Sequence, residues 1–188
     1  LIEQKVKDSQ LKYLSIDFFG GEPFLAFSDV IRPIVTYAKQ LCDENNKILN
    51  ISATTNGVLL SEETMNDLYS ILKDTPIQLQ ITLDGSREHH DHTRKTSLGE
   101  PTYDIILQNI KYCLAIGAHV TIRFNYTQKN AHTFVDVIQD FRNVTAEQRK
   151  FLTFTFHKVW QDCHIDIVEE TIENTKDIFE REGFRIMQ

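Results

Sequence analysis

The feature that most constrains this chain is a repeated alternation of strand-like and helix-like segments. Five segments alternate apolar and polar residues with a period of two, which is typical of β-strands with two different faces. Segments with helical periodicity separate them, and this order indicates βαβ connections and a parallel sheet. The predicted strands cover residues 14–18, 49–56, 77–84, 119–127 and 152–157.

Local signals predict where the helices begin and end. Serine is a favourable N-cap, proline suits a first turn, and glycine commonly follows a last turn. The predicted helices cover 28–45 with Ser28 as N-cap, a segment opened by Ser61, a segment between Pro101 and Gly117, 134–141, and 167–179 closed by Gly183.

The polar faces of the strands predict a site inside the fold. The apolar faces pack under the helices, so the polar faces point at one another across a curved or barrel-like sheet. An ordinary α/β barrel fills its interior with branched apolar side chains. Polar residues there, such as Gln80, Arg123 and His157, therefore predict a hydrated or ligand-filled lumen. The predicted fold class is α/β, a partial barrel.

The ends of the strands carry glycine and polar residues, and ligands bind at that rim in α/β barrels. The first strand runs into Gly20-Gly21-Glu22-Pro23, where glycines let the backbone approach a ligand and Glu22 offers an acceptor for an ammonium group. An ordinary turn with a solvated Glu22 is the alternative. The other ends are Thr54–Gly57, Thr82–Gly85 and Arg123–Thr127.

A polar segment over 86–94 follows Gly85 and is predicted to be a loop. It holds three histidines, but their spacing matches no common zinc signature, so no metal site is assigned. Arg94 ends this segment and has two open interpretations. Its guanidinium binds a ligand carboxylate, or it braces Asp84 or Asp91.

These motifs, taken in order, resemble a known family. Phe19-Gly20-Gly21-Glu22-Pro23, Thr55-Asn56-Gly57, Ile81–Gly85, and then His90-Asp91 with Arg94 are similar to motifs of the radical S-adenosylmethionine (SAM) enzymes. The most similar branch is the SPASM-type peptide and protein maturases, which includes the anaerobic sulfatase-maturating enzymes. The resemblance runs from about residue 13 to 160.

The resemblance implies a six-stranded (β/α)₆ partial barrel and roles for particular residues. Gly20, Gly21 and Glu22 would receive the amino group of SAM, and Thr82 and Arg94 would contact the cofactor. Asn56, Asn125 and Arg123 are further candidates in the lumen. In that family a [4Fe–4S] cluster cleaves SAM reductively, and the 5′-deoxyadenosyl radical abstracts hydrogen from a peptide or protein substrate.

The chain departs from the family at the cluster. The family holds it with a Cys-x-x-x-Cys-x-x-Cys run before the Gly-Gly-Glu-Pro strand, whereas this chain has only Cys42, Cys113 and Cys163, far apart. We therefore expect a truncated radical SAM core over 1–188 that lacks the first strand. Strands two to six would lie over 13–160, with the final helix and the start of a downstream segment over 161–188. The ligands of the cluster would belong to the full-length parent, and this chain alone would be inactive.

Composition bounds the class of partner. A net charge of −7 argues against a nucleic-acid or anionic-membrane surface. Three cysteines without pairing logic fit a reducing compartment and a cytoplasmic location. Two alternatives stay open, an unrelated (β/α)-barrel enzyme acting on a small molecule and a cluster-less module of the same fold that binds peptides.

Overall fold

The computed structural model describes residues 1–73, 75–159 and 166–187. It is an α/β structure with a six-stranded parallel sheet, and the strands lie side by side in chain order. The strands are β1 (Tyr13–Phe18), β2 (Ile48–Thr55), β3 (Ile77–Leu83), β4 (His119–Tyr126), β5 (Leu152–Lys158) and β6 (Arg185–Met187). The α/β class and the parallel sheet are confirmed, whereas closure into a partial barrel stays a prediction.

The sixth strand has no counterpart among the predicted strands. The sequence predicts the residues from Phe184 onward as the start of a downstream segment. In the structure Arg185–Met187 instead pairs with β5, with Ile186 opposite Phe154. Three residues are too few to show a period of two, so sequence pattern alone could not identify this strand.

Apart from α1, which precedes β1, the described helices lie between the strands, as the alternation predicts. They are α1 (Ile2–Lys7), α2 (Arg32–Glu44), α3 (Glu62–Leu72), α4 (Arg87–Thr93), α5 (Tyr103–Ala115), α6 (Phe134–Phe141), α7 (Ala146–Arg149) and α8 (Asp166–Arg181). Ser61 caps α3, because its Oγ accepts the backbone N–H of Thr64 at 3.2 Å. Gly117 and Gly183 follow α5 and α8 with positive φ angles, as predicted. No helix in the described ranges is long and apolar enough to cross a membrane.

Three local predictions are wrong. Ser28 is not an N-cap, since helical turns already cover Pro23–Ala26 and Phe27–Ile31 before α2. The segment after Gly85 is not a loop, because Arg87–Thr93 forms α4. Pro101 precedes α5 rather than opening it, because the N-cap is Thr102.

The two faces of the sheet differ as predicted. The apolar face is buried beneath the helices, and Phe124 of β4 packs against Phe134 of α6 with ring centroids 4.5 Å apart. The opposite face carries polar side chains that are half-buried, among them Thr82, Arg123 and Asn125. This polar face and the rim at the carboxyl ends of the strands form the surroundings of the candidate site.

Candidate functional site

Glu22 joins the ends of two neighbouring strands. Its Oε1 accepts the hydroxyl of Thr55 at 2.7 Å and the backbone N–H of Phe24 at 3.2 Å. Its Oε2 accepts the backbone N–H of Asn56 at 2.7 Å. An ionised carboxylate has about four acceptor positions, so these three bonds fix its orientation and leave Oε2 able to accept another donor. The solvated-Glu interpretation is therefore wrong.

The two glycines before Glu22 form an open turn. Gly20 and Gly21 have φ angles of +93° and +59°, which residues other than glycine rarely adopt. No atom lies within 4 Å of where a Cβ would stand at either residue. The space beside both α-carbons is therefore open, and a ligand can approach the backbone more closely here than at a residue that has a side chain.

Asn56 belongs to a braced turn at the end of β2. Its Oδ1 accepts the N–H of Val58 at 2.9 Å. From α5, the buried amide of Asn109 donates to the carbonyls of Gly57 and Val58 at 2.9 and 3.0 Å. Sequence reasoning missed Asn109, although an asparagine between Ile106 and Ile110 on the apolar face of a helix is a signal that could have found it.

Arg94 binds Asp84 at the end of β3. Its Nε donates to Asp84 Oδ2, and the Asp84 side chain is only 16% exposed. The brace that the sequence left open is therefore present. The other oxygen of Asp84 accepts the amide of Asn125 at 3.4 Å.

His90 and Asp91 hold α4 and α5 together. His90 is fully buried; its Nδ1 accepts the backbone N–H of Asp84, and its Nε2 lies 3.1 Å from the hydroxyl of Thr102. Burial lowers the pKa of His90 to about 4, so the ring is neutral. Oδ1 of Asp91 accepts the backbone N–H groups of Thr102 and Tyr103 at the start of α5. This pair therefore builds the rim, and the fully buried ring of His90 is not accessible to a ligand.

Asn130 is a second brace that sequence reasoning missed. It is buried, and its amide donates to the carbonyls of Asp84 and Asn125 at 3.3 and 2.9 Å. Its Oδ1 accepts the N–H of Thr127 at 2.7 Å. Asn130 thus ties the ends of β3 and β4 to each other.

The predicted site residues fall into three groups. Glu22, Asn56 and Arg94 line one cleft of about 480 Å³. Arg94 and Asn125 line an adjacent cleft of about 560 Å³, with Asp84 and Lys129. Thr82 lies on the polar face, and it and the Gly20–Gly21 turn line neither of these two clefts. Arg94 therefore separates two clefts at one rim.

The residues present fit SAM better than they fit an iron–sulfur cluster. The open glycine turn and the oriented carboxylate of Glu22 suit an α-amino group. The two described cysteines, Cys42 and Cys113, are fully buried in α2 and α5. Burial raises the pKa of both thiols, that of Cys113 to about 12, whereas cluster ligands are thiolates. These two residues therefore do not fit a cluster.

No metal group is assembled elsewhere in the described ranges. No set of three His, Cys, Asp or Glu side chains there could hold a metal ion, and this includes the histidines of α4. Cys163, the third of the scattered cysteines, lies outside the described residues.

Comparison with known proteins confirms the resemblance. No family model matches the chain. Over 133 residues the chain is 29% identical to a cysteine-type anaerobic sulfatase-maturating enzyme of Clostridium novyi (strain NT), covering 66% of this chain and 33% of that enzyme. The resemblance to radical SAM maturases that the motifs predict is therefore supported by sequence beyond the motifs.

The fold is also shared with solved structures. The structure of native anSMEcpe with bound AdoMet matches with a TM-score of 0.72 at 20% identity, over 98% of this chain and 53% of that one. Streptococcus suis SuiB bound to precursor peptide SuiA matches with a TM-score of 0.54 at 14% identity, over 93% and 38%. This chain thus spans about a third of the curated relative and about half of anSMEcpe.

Proposed function

We propose that this chain, which resembles the radical SAM maturases in sequence and fold, is the SAM-binding core of a peptide- or protein-modifying enzyme. The core covers 1–188, and its sheet is the open part of a (β/α)₆ partial barrel. Gly20, Gly21 and Glu22 bind the amino group of SAM. Thr82, Asn56 and Asn125 supply polar contacts, and Arg94 holds the rim through Asp84.

The observation that carries this proposal is the position of Glu22. Its carboxylate is oriented by three donors from β2 and the following turn, and it lines a cleft beside Asn56 and Arg94. A carboxylate fixed in this way stabilises an ammonium group without having to reorganise when the ligand binds. The open backbone at Gly20 and Gly21 lies directly before it in the chain.

The activity of the whole protein is the second part of the proposal. In radical SAM enzymes, an iron–sulfur cluster reduces bound SAM, and SAM then supplies the 5′-deoxyadenosyl radical. The described residues hold no ligands for that cluster, so this chain's part is binding and orientation. A maturase activity on a peptide or protein is supported by the sulfatase-maturating relative and by the likeness to peptide-bound SuiB. The cytoplasmic location expected from the sequence stays a prediction.

Calorimetric titration of SAM into the chain tests the binding step. Glu22→Gln keeps the volume but replaces an acceptor oxygen by an amide, and we expect SAM affinity to fall about tenfold. Gly20→Ala should weaken SAM binding as strongly by blocking the open turn. Its matched control is Gly99→Ala, which has a similar φ of +82° and equally open surroundings. Equal SAM affinity of all four proteins would refute the assignment of this turn.

The full product of the gene that encodes this chain tests the activity. Under anaerobic, reducing conditions it should show iron–sulfur absorbance and release 5′-deoxyadenosine from SAM, and Glu22→Gln should suppress the release. A full gene product that binds no iron would refute the radical SAM assignment.

A second candidate is a peptide-binding module of the same fold that does no chemistry. The observation in its favour is that neither Cys42 nor Cys113 can serve as a cluster ligand. Such a module would bind peptides while Glu22→Gln and Gly20→Ala leave SAM affinity unchanged.

A further inference from the structure

Arg123 lies at the centre of the polar face of the sheet. In the strand register it stands between Thr82 of β3 and Thr155 of β5. Its Nε donates to Oδ1 of Asn125 at 2.9 Å, which fixes the plane of the guanidinium. This bond uses one of the five N–H donors of the group, and its two terminal nitrogens are the pair that forks onto an anion.

The charge of Arg123 is not neutralised by the residues that the structure describes. Arg94 is the arginine that the motifs single out, and its charge is neutralised by Asp84. None of the described ion pairs includes Arg123. Asp84 connects to it only through the neutral amide of Asn125.

His157 adds a neutral polar group beside this charge. It is the register partner of Asn125, and its Nε2 lies 3.1 Å from the hydroxyl of Thr155. Burial lowers the pKa of His157, and the positive charge of Arg123 lowers it further. The surroundings of Arg123 are therefore two hydroxyls, an amide and an imidazole, with a single positive charge among them.

We infer that Arg123 binds a carboxylate on the polar face of the sheet. A half-buried guanidinium without a carboxylate partner, flanked by hydroxyl groups, matches the planar, bidentate geometry of that anion. One cation suits a single negative charge, and the net charge of −7 disfavours a polyanion such as nucleic acid. The inference rests on the proposed function for the source of the carboxylate, which is the methionine part of SAM or an acidic group of the peptide.

The carboxylate site is tested with acetate, which needs neither SAM nor a cluster. In the ¹⁵N-labelled chain, the Nε–H resonance of Arg123 is assigned as the one missing from Arg123→Lys. We expect it to shift saturably with sodium acetate, against sodium chloride of equal ionic strength, and to shift more than that of Arg181 on α8. Shifts no larger than those of Arg181 overturn the inference.

Three ligands then identify the source of the carboxylate. SAM, decarboxylated SAM and a short peptide with a glutamate are titrated into wild type, Arg123→Lys and Arg123→Met. If the carboxylate is that of SAM, Arg123→Met weakens SAM about tenfold and leaves decarboxylated SAM unchanged. If it is that of the peptide, the glutamate peptide is weakened and its glutamine counterpart is not. Either result supports the site, and Arg123→Met that binds SAM and the glutamate peptide like wild type overturns it.

Two controls keep the result independent of folding and of the proposed function. Arg123→Lys keeps the positive charge but cannot bind a carboxylate in the bidentate geometry. It should therefore lose less affinity for the carboxylate ligand than Arg123→Met, whereas a misfolded protein would lose affinity for all ligands alike. A chain that binds acetate at Arg123 but binds SAM no better than Glu22→Gln would leave the carboxylate site standing. It would remove the SAM-binding proposal instead.

Discussion

The backbone N–H of Asp84 donates to Nδ1 of the buried His90 at 3.2 Å. Because Nδ1 accepts, the ring proton sits on Nε2 and is donated to the hydroxyl of Thr102, which in turn donates to the carbonyl of Arg94. One neutral imidazole therefore links the end of β3, the end of α4 and the start of α5. The carboxylate of Asp84 and the guanidinium of Arg94 are held where these three elements meet.

The first prediction concerns the pH dependence of stability. The pKa of His90 falls from 6.5 in the unfolded chain to about 4 in the folded one. The unfolded state thus binds more protons between these values, so stability is full above pH 6.5 and is lost as the pH falls towards 4. The shift corresponds to about 3 kcal/mol at most. Denaturant unfolding between pH 7 and 4 should be less steeply pH-dependent in His90→Gln than in wild type.

The control for this measurement is His132→Gln, because His132 is exposed at the same rim. It should keep the pH profile of the wild type. If His90→Gln also kept that profile, burial of a neutral imidazole would not be the cause of the acid sensitivity.

The strands and the rim were predictable because their signals are local. Alternation over five or more residues identified β1 to β5, and parallel pairing brings their carboxyl ends to one rim. The positions of Glu22, Asn56 and Asn125 at that rim followed from this order alone. The role of Glu22 as a brace for Asn56 did not follow, because it depends on contacts 34 residues apart in the chain.

The parts that were missed depend on tertiary contacts. Helix α4 is rich in charged residues and histidine, and its one fully buried histidine finds its partners in β3 and at the start of α5. Such a helix has no periodic apolar pattern from which it could be predicted. Likewise the sequence placed Arg94 and Arg123 near one site, but only the structure shows which of them is neutralised by Asp84.

The second prediction concerns the turn after β3. Gly85 has a φ of +111°, and a Cβ there would lie 2.2 Å from Oγ1 of Thr133, which accepts the N–H of Ser86. Gly85→Ala combines backbone strain with a clash, and we expect a loss of about 3 kcal/mol in unfolding free energy. Gly99→Ala has a positive φ without a clash and should lose about 1 kcal/mol. Equal losses in denaturant unfolding would show that the contact with Thr133 relaxes freely.

The third prediction concerns Asn109. Its amide is the side-chain donor to the carbonyls of Gly57 and Val58, and it is 6% exposed. Asn109→Ala should lower the unfolding free energy by about 2 kcal/mol, because one buried and one partly buried carbonyl lose this donor. Amide hydrogen exchange should also accelerate in the turn after β2.

The control is Asn66→Ala on α3, where the side-chain oxygen accepts the hydroxyl of Tyr112 at an exposed position. It should lose less than about 1 kcal/mol. Unchanged exchange in the turn of Asn109→Ala would mean that Glu22 and Thr55 hold the turn without α5.

The fourth prediction separates the two roles of Glu22. The buried hydroxyl of Thr55 donates to Glu22 Oε1 and accepts the N–H of Gly57 at 3.1 Å. Thr55→Val keeps the shape, leaves the Gly57 N–H without this acceptor and frees one side of the carboxylate, so the unfolding free energy should fall by about 2 kcal/mol.

The same variant tests whether SAM binding depends on the orientation of Glu22. If it does, the affinity for SAM falls in Thr55→Val although the carboxylate is retained. Thr121→Val, on the polar face of β4, is the matched control and should leave both quantities near wild type. In a double-mutant cycle, Thr55→Val should weaken SAM binding less in the Glu22→Gln background than in wild type; additive losses would mean that the two residues act on SAM separately.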